Sequence, residues 1–475
     1  MRQFKILATA LGAAMLVAGC GGGGNGDQSP AIKYTSVVSF GDSLSDAGTY
    51  SVGAIKLLGG GMFTVNGIAG AAGADPTPSY NWAQLVSAAA IGQASCAARL
   101  GGFGVIESTV AGCTNYAQGG SRVSDGMGTN NTVAGAAIVA AGTATPGPLT
   151  ESVLKQIANF VADNKGNFKG TELVTVLAGA NDILAQTDIL KAAATAAGTA
   201  EGVRVGALTF ANTLVGALAA GATNPATAAQ AIGLAMQTES ARTGSTSATI
   251  VGAAVGAAAI QAGNSAVGSP AVYGPMVAAA TTAATTAGAI AGAAFGANYA
   301  ATTGAGIAVT GMVTAASTLV GYIKAMVNTQ GAKHVLVVNL PDVSQTPMAM
   351  ATDVSQQKLV LALTDAFNKT LQSGLEGTSG VLIVDAFAEN RRQLANPAHY
   401  SLTNVKDVAC NLNYGFNPLA TAGNADGSSL VCKTSNLVAG DTSHYLFADN
   451  LHPTPYGHKL LAQYATKAMV IAGWL

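Results

Sequence analysis

An aspartate and a histidine near the carboxyl end of the chain could support acid–base chemistry. Asp449 precedes His452 by three residues in the segment FADNLHPT. This spacing lets one turn of chain place a carboxylate beside an imidazole, where it can orient the ring and stabilise its protonated form. A serine hydroxyl becomes an effective nucleophile only when such a base removes its proton. A surface ion pair would have the same spacing, so the pair gains meaning only from its context.

Short apolar runs rich in β-branched residues predict strands that are buried on both faces. They cover residues 34–40, 172–177, 334–340 and 381–384. Amphipathic segments such as 152–162, 356–375 and 456–472 predict helices. Strands that alternate with helices predict an α/β layered fold with a mainly parallel sheet.

Polar residues follow three of the predicted strands. Asp42 and Ser43 follow the first, Asn181 and Asp182 follow the second, and Asp342 follows the third. Ligands of open α/β sheets bind beyond the carboxyl ends of the strands. Ser43 and Asn181 are therefore expected at the edge where a site would form, although ordinary turns have similar compositions.

Four ordered segments together resemble the GDSL, or SGNH, hydrolase family. They are FGDSLS from Phe40, NYAQGG from Asn115, GAND from Gly179 and DNLHP from Asp449. The resemblance extends from Ser36 to about Ala468. It implies a flavodoxin-like fold, a three-layer α/β/α sandwich with a mainly parallel sheet.

The resemblance also implies roles for a catalytic triad that needs no cofactor. Ser43 would attack an ester carbonyl, and His452 would take its proton and later deliver it to the leaving alcohol. Asp449 would orient His452. The chain lacks a Gly-x-Ser-x-Gly elbow, which argues against the α/β-hydrolase fold as the frame.

An oxyanion hole is implied in the same way. Its donors would be the backbone N–H of Ser43, the N–H of Gly120 and the side-chain amide of Asn181, with Gly119 as an adjacent alternative to Gly120. The tetrahedral intermediate carries negative charge on the former carbonyl oxygen, so the donors must already face that position.

The amino terminus resembles a secretory signal with a lipobox. Arg2 and Lys5 precede an uncharged run that ends at Cys20. We predict a signal peptide over residues 1–19, a lipid on Cys20, a flexible Gly-rich tether over 20–33 and a hydrolase domain over 34–475. An ordinary signal peptide that contains a cysteine is the alternative. Lipidation would anchor the protein to a membrane that the chain does not span. We expect the protein in the bacterial cell envelope, at the outer membrane, or outside the cell.

The remaining four cysteines agree with export. Cys96, Cys113, Cys410 and Cys432 allow three pairings. The two local pairs, Cys96 with Cys113 and Cys410 with Cys432, are the simplest in an oxidising compartment. Buried free thiols remain the alternative.

An uncharged region interrupts the expected hydrolase domain. From Val205 to Ile323 the charged residues are Glu239 and Arg242 alone. We predict an Ala/Gly-rich helical insertion over about 190–325, either a hairpin packed on itself or on the domain, or a cap or membrane-facing surface that selects acyl chains. The net charge of −1 gives no indication of a nucleic-acid partner, and no Cys/His/Asp spacing suggests a metal site.

Ester hydrolysis is the leading functional hypothesis, with acyl lipids as preferred substrates because of the weakly polar insertion and the predicted anchor. A carbohydrate O-acetylesterase or an acyltransferase could use the same residues. A non-catalytic surface-binding lipoprotein is the hypothesis from another class. A non-catalytic module has no need of all five site residues, so their joint presence argues against this hypothesis. They are Ser43, Gly120, Asn181, Asp449 and His452.

Overall fold

The computed structural model describes residues 32–67, 79–125, 150–420 and 427–475. The predicted signal peptide, Cys20 and most of the predicted tether therefore lie outside the described residues.

The described residues form strands, α-helices and short turns of helix. The strands are β1 (Ser36–Gly41), β2 (Arg99–Gly102), β3 (Val105–Thr109), β4 (Glu172–Leu177), β5 (His334–Val338), β6 (Val381–Val384), β7 (Asn404–Val408) and β8 (Tyr445–Phe447). The α-helices are α1 (Gly53–Leu57), α2 (Trp82–Ile91), α3 (Val153–Asp163), α4 (Ala180–Ala219), α5 (Pro225–Ser240), α6 (Ser247–Ala259), α7 (Pro270–Tyr299), α8 (Ala305–Asn328), α9 (Pro347–Met350), α10 (Val354–Leu375), α11 (Ala386–Ala395) and α12 (Pro455–Ile471). A π-helical turn, Ala300–Gly304, joins α7 to α8. The 3-10 turns are Ser265–Gly268, Val343–Gln345, Pro397–Tyr400, Ser429–Val431 and Thr434–Asn436.

A parallel four-stranded sheet in the order β1-β4-β5-β6 forms the centre of the fold. Every residue of β4 is buried, which agrees with the mainly apolar character of that segment. Two small sheets, β2-β3 and β7-β8, complete the pairing among the described strands.

Helices cover both faces of this sheet. Val38 and Val174 face a core that also contains residues of α3, α8 and α10. Val37 and Leu173, their neighbours on the same strands, face a second core with α2 and α12. Successive strand residues thus point into different helical layers. The predicted α/β/α sandwich with a parallel sheet is confirmed.

Helices α4 and α7 pack against each other so closely that only glycine fits at several positions. A Cβ on Gly198 would lie 2.6 Å from the carbonyl oxygen of Gly292, and one on Gly202 would lie 2.8 Å from that of Gly288. Residue numbers rise along α4 as they fall along α7, so the two helices are antiparallel. We call this pair, with the α5–α6 segment between them, the arm.

The arm extends away from the sheet beyond the carboxyl ends of the strands. Helix α8 packs on the sheet through Met312 and Leu319 and ends shortly before β5 begins, so its first residues lie towards the carboxyl edge. Gln186 of α4 packs at Gly311, and Leu190 of α4 packs farther back along α8, at the π-helical turn. Helix α4 therefore leads outward from this edge.

The arm has a core of its own. Leu214 and Leu218 of α4 pack with Ile232 of α5 and Ala254 of α6, and all four are fully buried. Its single pair of charges beyond Val205, Glu239 and Arg242, forms an ion pair on its surface. Residues 190 and 325, the predicted limits of the insertion, lie inside continuous helices. Helix α4 and the segment Pro270–Asn328 are long and apolar enough to cross a membrane by length and composition, a test that packed helices also pass.

Candidate active site

Ser43 lies in a tight turn at the carboxyl edge of the sheet, directly after β1. The carboxylate of Asp42 accepts a hydrogen bond from the Leu44 N–H at 3.1 Å, and the Asp42 carbonyl accepts one from the Ser45 N–H at 3.0 Å. Gly41 is required before the turn, because a Cβ there would lie 2.2 Å from the carbonyl oxygen of Leu177 on β4. The turn holds the Ser43 side chain at the end of the strand.

Ser43, His452 and Asp449 form a continuous chain of hydrogen bonds. Ser43 Oγ lies 2.8 Å from His452 Nε2, and His452 Nδ1 lies 2.9 Å from both carboxylate oxygens of Asp449. All three residues are buried. Because an ionised carboxylate only accepts hydrogen bonds, Nδ1 carries the proton and Nε2 is free to accept the proton of Ser43. The arrangement can activate a serine hydroxyl.

Backbone groups hold the Asp449 carboxylate in its ionised form. Its Oδ2 accepts the Ser429 N–H at 2.9 Å, and its Oδ1 accepts those of Leu451 at 2.9 Å and His452 at 2.7 Å. Burial alone would raise the pKa of Asp449, but the neighbouring His452 and these hydrogen bonds bring it well below its ordinary value. A buried anion is thus available to stabilise an imidazolium.

The predicted oxyanion donors differ in the hydrogen bonds that they already make. The N–H groups of Ser43 and Gly120 have no hydrogen-bond acceptor among the described residues. The Gly119 N–H instead donates to Asp46 Oδ2 at 2.9 Å, which favours Gly120 over Gly119 as the backbone donor. Asn181, in the first turn of α4, is buried and donates to the Ser121 carbonyl at 3.0 Å.

A buried glutamine connects the nucleophile turn to the oxyanion segment. Gln156 of α3 accepts the Gly41 N–H at 2.9 Å and donates to the Gly41 carbonyl at 2.9 Å. Its amide also donates to Ser121 Oγ at 2.9 Å. Gln156 could not be predicted as a site residue, because nothing in its local sequence distinguishes it from other polar residues on an amphipathic helix.

Asn115 and Asp46 fix the same region from the opposite side. Asn115 donates to the Ser45 carbonyl at 2.8 Å. Besides the Gly119 N–H, Asp46 accepts the N–H groups of Gly48 at 2.9 Å and Thr49 at 2.7 Å. Asn115 of the NYAQGG segment thus binds the backbone of FGDSLS, and Asp46, directly after FGDSLS, binds the backbone of NYAQGG.

An aromatic ring covers the histidine and the glycine pair. The ring of Phe63 lies 5.0 Å from that of His452, centroid to centroid. A Cβ on Gly119 would lie 2.2 Å from the Phe63 ring. Thr64, next in sequence, donates to the Pro453 carbonyl at 2.9 Å. A segment that carries no catalytic group thus shapes the site.

Both local cysteine pairs are disulfide-bonded, and both lie next to site segments. Cys96–Cys113 lies beside Asn115, whose N–H donates to the Cys96 carbonyl at 3.1 Å. Cys410–Cys432 connects two segments that contact the acid: Ser429 donates to Asp449, and the Cys410 N–H donates to the Ala448 carbonyl at 2.9 Å.

Further buried ionisable groups surround the triad. Burial raises the pKa of Asp42 to about 7 and that of Asp182 to about 6, against hydrogen bonds that lower both. Burial lowers the pKa of His458 to about 3, as does the neighbouring His452, so the His458 imidazole is neutral. Across the described ranges, no group of three or more His, Cys, Asp and Glu side chains is placed to hold a metal ion.

Comparison with known proteins identifies one family. Residues 37–267 match the model of the GDSL-like lipase/acylhydrolase family. A search of curated proteins finds no match. The matched range contains Ser43, Gly120 and Asn181 and ends before Asp449 and His452, so the fold, not the match, brings the last two residues to the site.

Proposed function

Because the chain belongs to the GDSL-like lipase/acylhydrolase family of ester-hydrolysing enzymes, we propose that it cleaves carboxylic esters with lipid-like acyl groups through an acyl-enzyme on Ser43. The observation that carries this proposal is the hydrogen-bonded chain from Ser43 Oγ through His452 to Asp449.

In the first half of the reaction, His452 Nε2 takes the Ser43 proton while Oγ attacks the ester carbonyl carbon. The carbonyl oxygen becomes negatively charged and accepts hydrogen bonds from Ser43 N–H, Gly120 N–H and the Asn181 amide. The imidazolium then gives its proton to the alkoxy oxygen, and the alcohol leaves. Asp449 stabilises the imidazolium throughout.

In the second half, water replaces the alcohol. His452 takes a proton from water as its oxygen attacks the acyl carbon, and the same donors stabilise the second oxyanion. Collapse of this intermediate breaks the bond to Ser43 Oγ, which regains the proton from His452. The carboxylic acid is released and the enzyme returns to its starting state.

Lipid-like substrates are supported by the surface beside the site. The arm begins at the helix that carries Asn181 and extends beyond the carboxyl edge of the sheet. The first part of α4 carries Asp182, Asp188, Lys191, Glu201 and Arg204, but from Val205 to the end of α7 the charged residues are Glu239 and Arg242 alone. A charged or strongly hydrated substrate would gain little from such a surface, whereas hydrocarbon would lose contact with water there.

Export and a lipid anchor on Cys20 form a separate part of the proposal. Two disulfides among the described residues support an oxidising compartment. In bacteria fed a labelled fatty acid, the wild-type chain should carry label and fractionate with membranes, while Cys20→Ser should do neither. Label on both chains, or on neither, would contradict the anchor and leave the hydrolase proposal intact.

Hydrolysis of p-nitrophenyl esters from acetyl to palmitoyl tests the activity. The chain that begins at Gly21 is compared with its Ser43→Ala variant and with Ser373→Ala, an exposed serine on α10. We expect hydrolysis by wild type and Ser373→Ala and none above background by Ser43→Ala. Undiminished hydrolysis by Ser43→Ala, or none by a folded wild type, would contradict the proposed function.

A further inference from the structure

Helix α4 connects the oxyanion site to a large groove. Asn181 lies in its first turn, and the groove, with a volume of about 2010 Å³, is lined by α4 from Ile183 onward. Ser43 and His452 do not line it. The groove therefore adjoins the site of chemistry without containing it.

The groove follows one face of α4. Its lining residues recur every three or four positions, and they include Ile183, Thr187, Ala194, Gly198 and Gly202. This period keeps them on one side of the helix. At a helical rise of about 1.5 Å per residue, the stretch from Ile183 to Gly202 is roughly 30 Å long. The groove is long and leads away from the catalytic centre.

The opposite wall reaches the loop that carries the acid and the base. Val343 and Met348 line the groove near its start. The Met348 N–H donates to the carbonyl of Asn450 at 2.9 Å, and Asn450 lies between Asp449 and His452 in sequence. One end of the groove is thus bounded by the helix of the oxyanion donor and by a segment bonded to the triad loop.

Small and apolar side chains form much of the lining, and polar ones stand among them. Ala194 of α4 and Ala289 and Ala293 of α7 are among the lining residues, and their small side chains leave the groove wide. The charged lining residues are Asp188 and Lys191 of α4 and Asp353 and Lys358 at the start of α10. All four are exposed, so their charged groups can remain in water while apolar groups occupy the groove. This composition suits a flexible hydrocarbon chain better than a polar ligand.

We propose that this groove binds the acyl chain of the ester substrate, an inference that rests on the proposed function. The carbonyl group reacts at Ser43, the first carbons cross the edge beside Asn181, and the rest of the chain lies along α4. Because the triad is outside the groove, short acyl groups react without entering it. Long acyl groups gain affinity with each methylene that the groove removes from water.

Two tryptophan substitutions at different depths test the position of the chain. Thr187→Trp blocks the groove near its start, and Ala194→Trp blocks it about 10 Å farther along α4. Ala196→Trp places the same side chain on an exposed position of α4 that does not line the groove and serves as the matched control. For each protein, kcat/KM is measured for p-nitrophenyl esters from acetyl to palmitoyl.

We expect the acetyl ester to react equally well with all four proteins. Thr187→Trp should lower kcat/KM by about tenfold or more for acyl chains of medium length and longer. Loss of contact between the groove and two or three methylenes of the acyl chain is sufficient for an effect of this size. Ala194→Trp should lower kcat/KM only for longer chains, and Ala196→Trp for none. Equal chain-length profiles in all four proteins, with acetyl hydrolysis intact, would overturn the groove proposal alone. Absence of hydrolysis by wild type would instead contradict the proposed function.

Discussion

Gln156 holds Gly41 by both of its backbone groups, accepting from its N–H and donating to its carbonyl, each at 2.9 Å. The same side chain reaches Ser121, beside Gly120. The nucleophile turn and one oxyanion donor are therefore positioned by a single residue on α3, although no atom of Gln156 takes part in the proposed reaction.

Replacing Gln156 should lower turnover more than substrate binding. Gln156→Glu keeps the size but replaces the donating amide nitrogen by oxygen, which faces the carbonyl oxygens of Gly41 and Glu151 and repels them. We expect kcat for a p-nitrophenyl ester to fall by about tenfold or more with KM changed much less, because a misplaced oxyanion donor affects the transition state most. Gln372→Glu, the same substitution at an exposed position of α10, serves as the control. A fall in thermal stability with kcat unchanged would show that Gln156 is only structural.

A methyl group on Gly119 should disable the site through Phe63. The added Cβ would meet the Phe63 ring at 2.2 Å, and this ring packs on His452. Gly119→Ala should therefore reduce kcat/KM by about tenfold or more, since even small misplacement of a catalytic group is costly. Combining it with Phe63→Leu should restore part of the activity. A double variant no better than Gly119→Ala would contradict this coupling.

Reduction of the Cys410–Cys432 disulfide should weaken the hold on Asp449. The bond closes a loop with a sequence separation of 22 and lies next to Ser429 and Ala448. Its loss should cost about 2–4 kcal/mol of stability and lower kcat. In the variant Cys96→Ser/Cys113→Ser, Cys410–Cys432 is the disulfide that remains among the described residues. The activity of this variant is measured before and after mild reduction. Unchanged activity of that variant, once reduction of the disulfide has been verified, would contradict the expectation.

Asp42 should make the folded state less stable as the pH rises. Burial raises its pKa to about 7, although the Leu44 N–H and His452 lower it in part, and an unfolded aspartate has a pKa of about 3.9. Between about pH 4 and pH 7 the folded chain retains a proton that the unfolded chain has released, so the free energy of unfolding falls with increasing pH.

Asp42→Asn removes this titration. Relative to wild type, the variant should gain on the order of 1–3 kcal/mol in the free energy of unfolding between about pH 5 and pH 7.5. Denaturant unfolding of both proteins across this pH range measures the difference. Parallel curves for the two proteins would show that Asp42 titrates at an ordinary pKa.

The central sheet could be predicted from sequence because each of its strands is a local apolar run. The predicted strands 172–177 and 381–384 agree with β4 and β6 in both limits, and 34–40 and 334–340 differ from β1 and β5 by one or two residues. A strand that is buried on both faces does not alternate between apolar and polar residues, so it is recognisable in sequence as a nearly continuous apolar run.

Features that depend on distant contacts were not predictable in this way. Three features arise where segments far apart in sequence meet. They are the hydrogen bonds of Gln156, the packing of Phe63 on His452 and the outward direction of α4. The Ala/Gly-rich composition predicted a helical insertion, but not which helices pack together, their direction or the groove. Motif residues such as Ser43 and His452 could be selected because their chemistry limits which residue types can serve.

Labelling with a p-nitrophenyl alkylphosphonate tests whether Ser43 is the nucleophile. Attack by Ser43 Oγ on phosphorus would displace p-nitrophenolate and leave a stable phosphonyl ester, located by peptide mass analysis. We expect one modification per chain, on Ser43, absent from Ser43→Ala and strongly slowed in His452→Ala. Modification of another residue at the wild-type rate, or equal labelling of Ser43→Ala, would contradict Ser43 as the nucleophile.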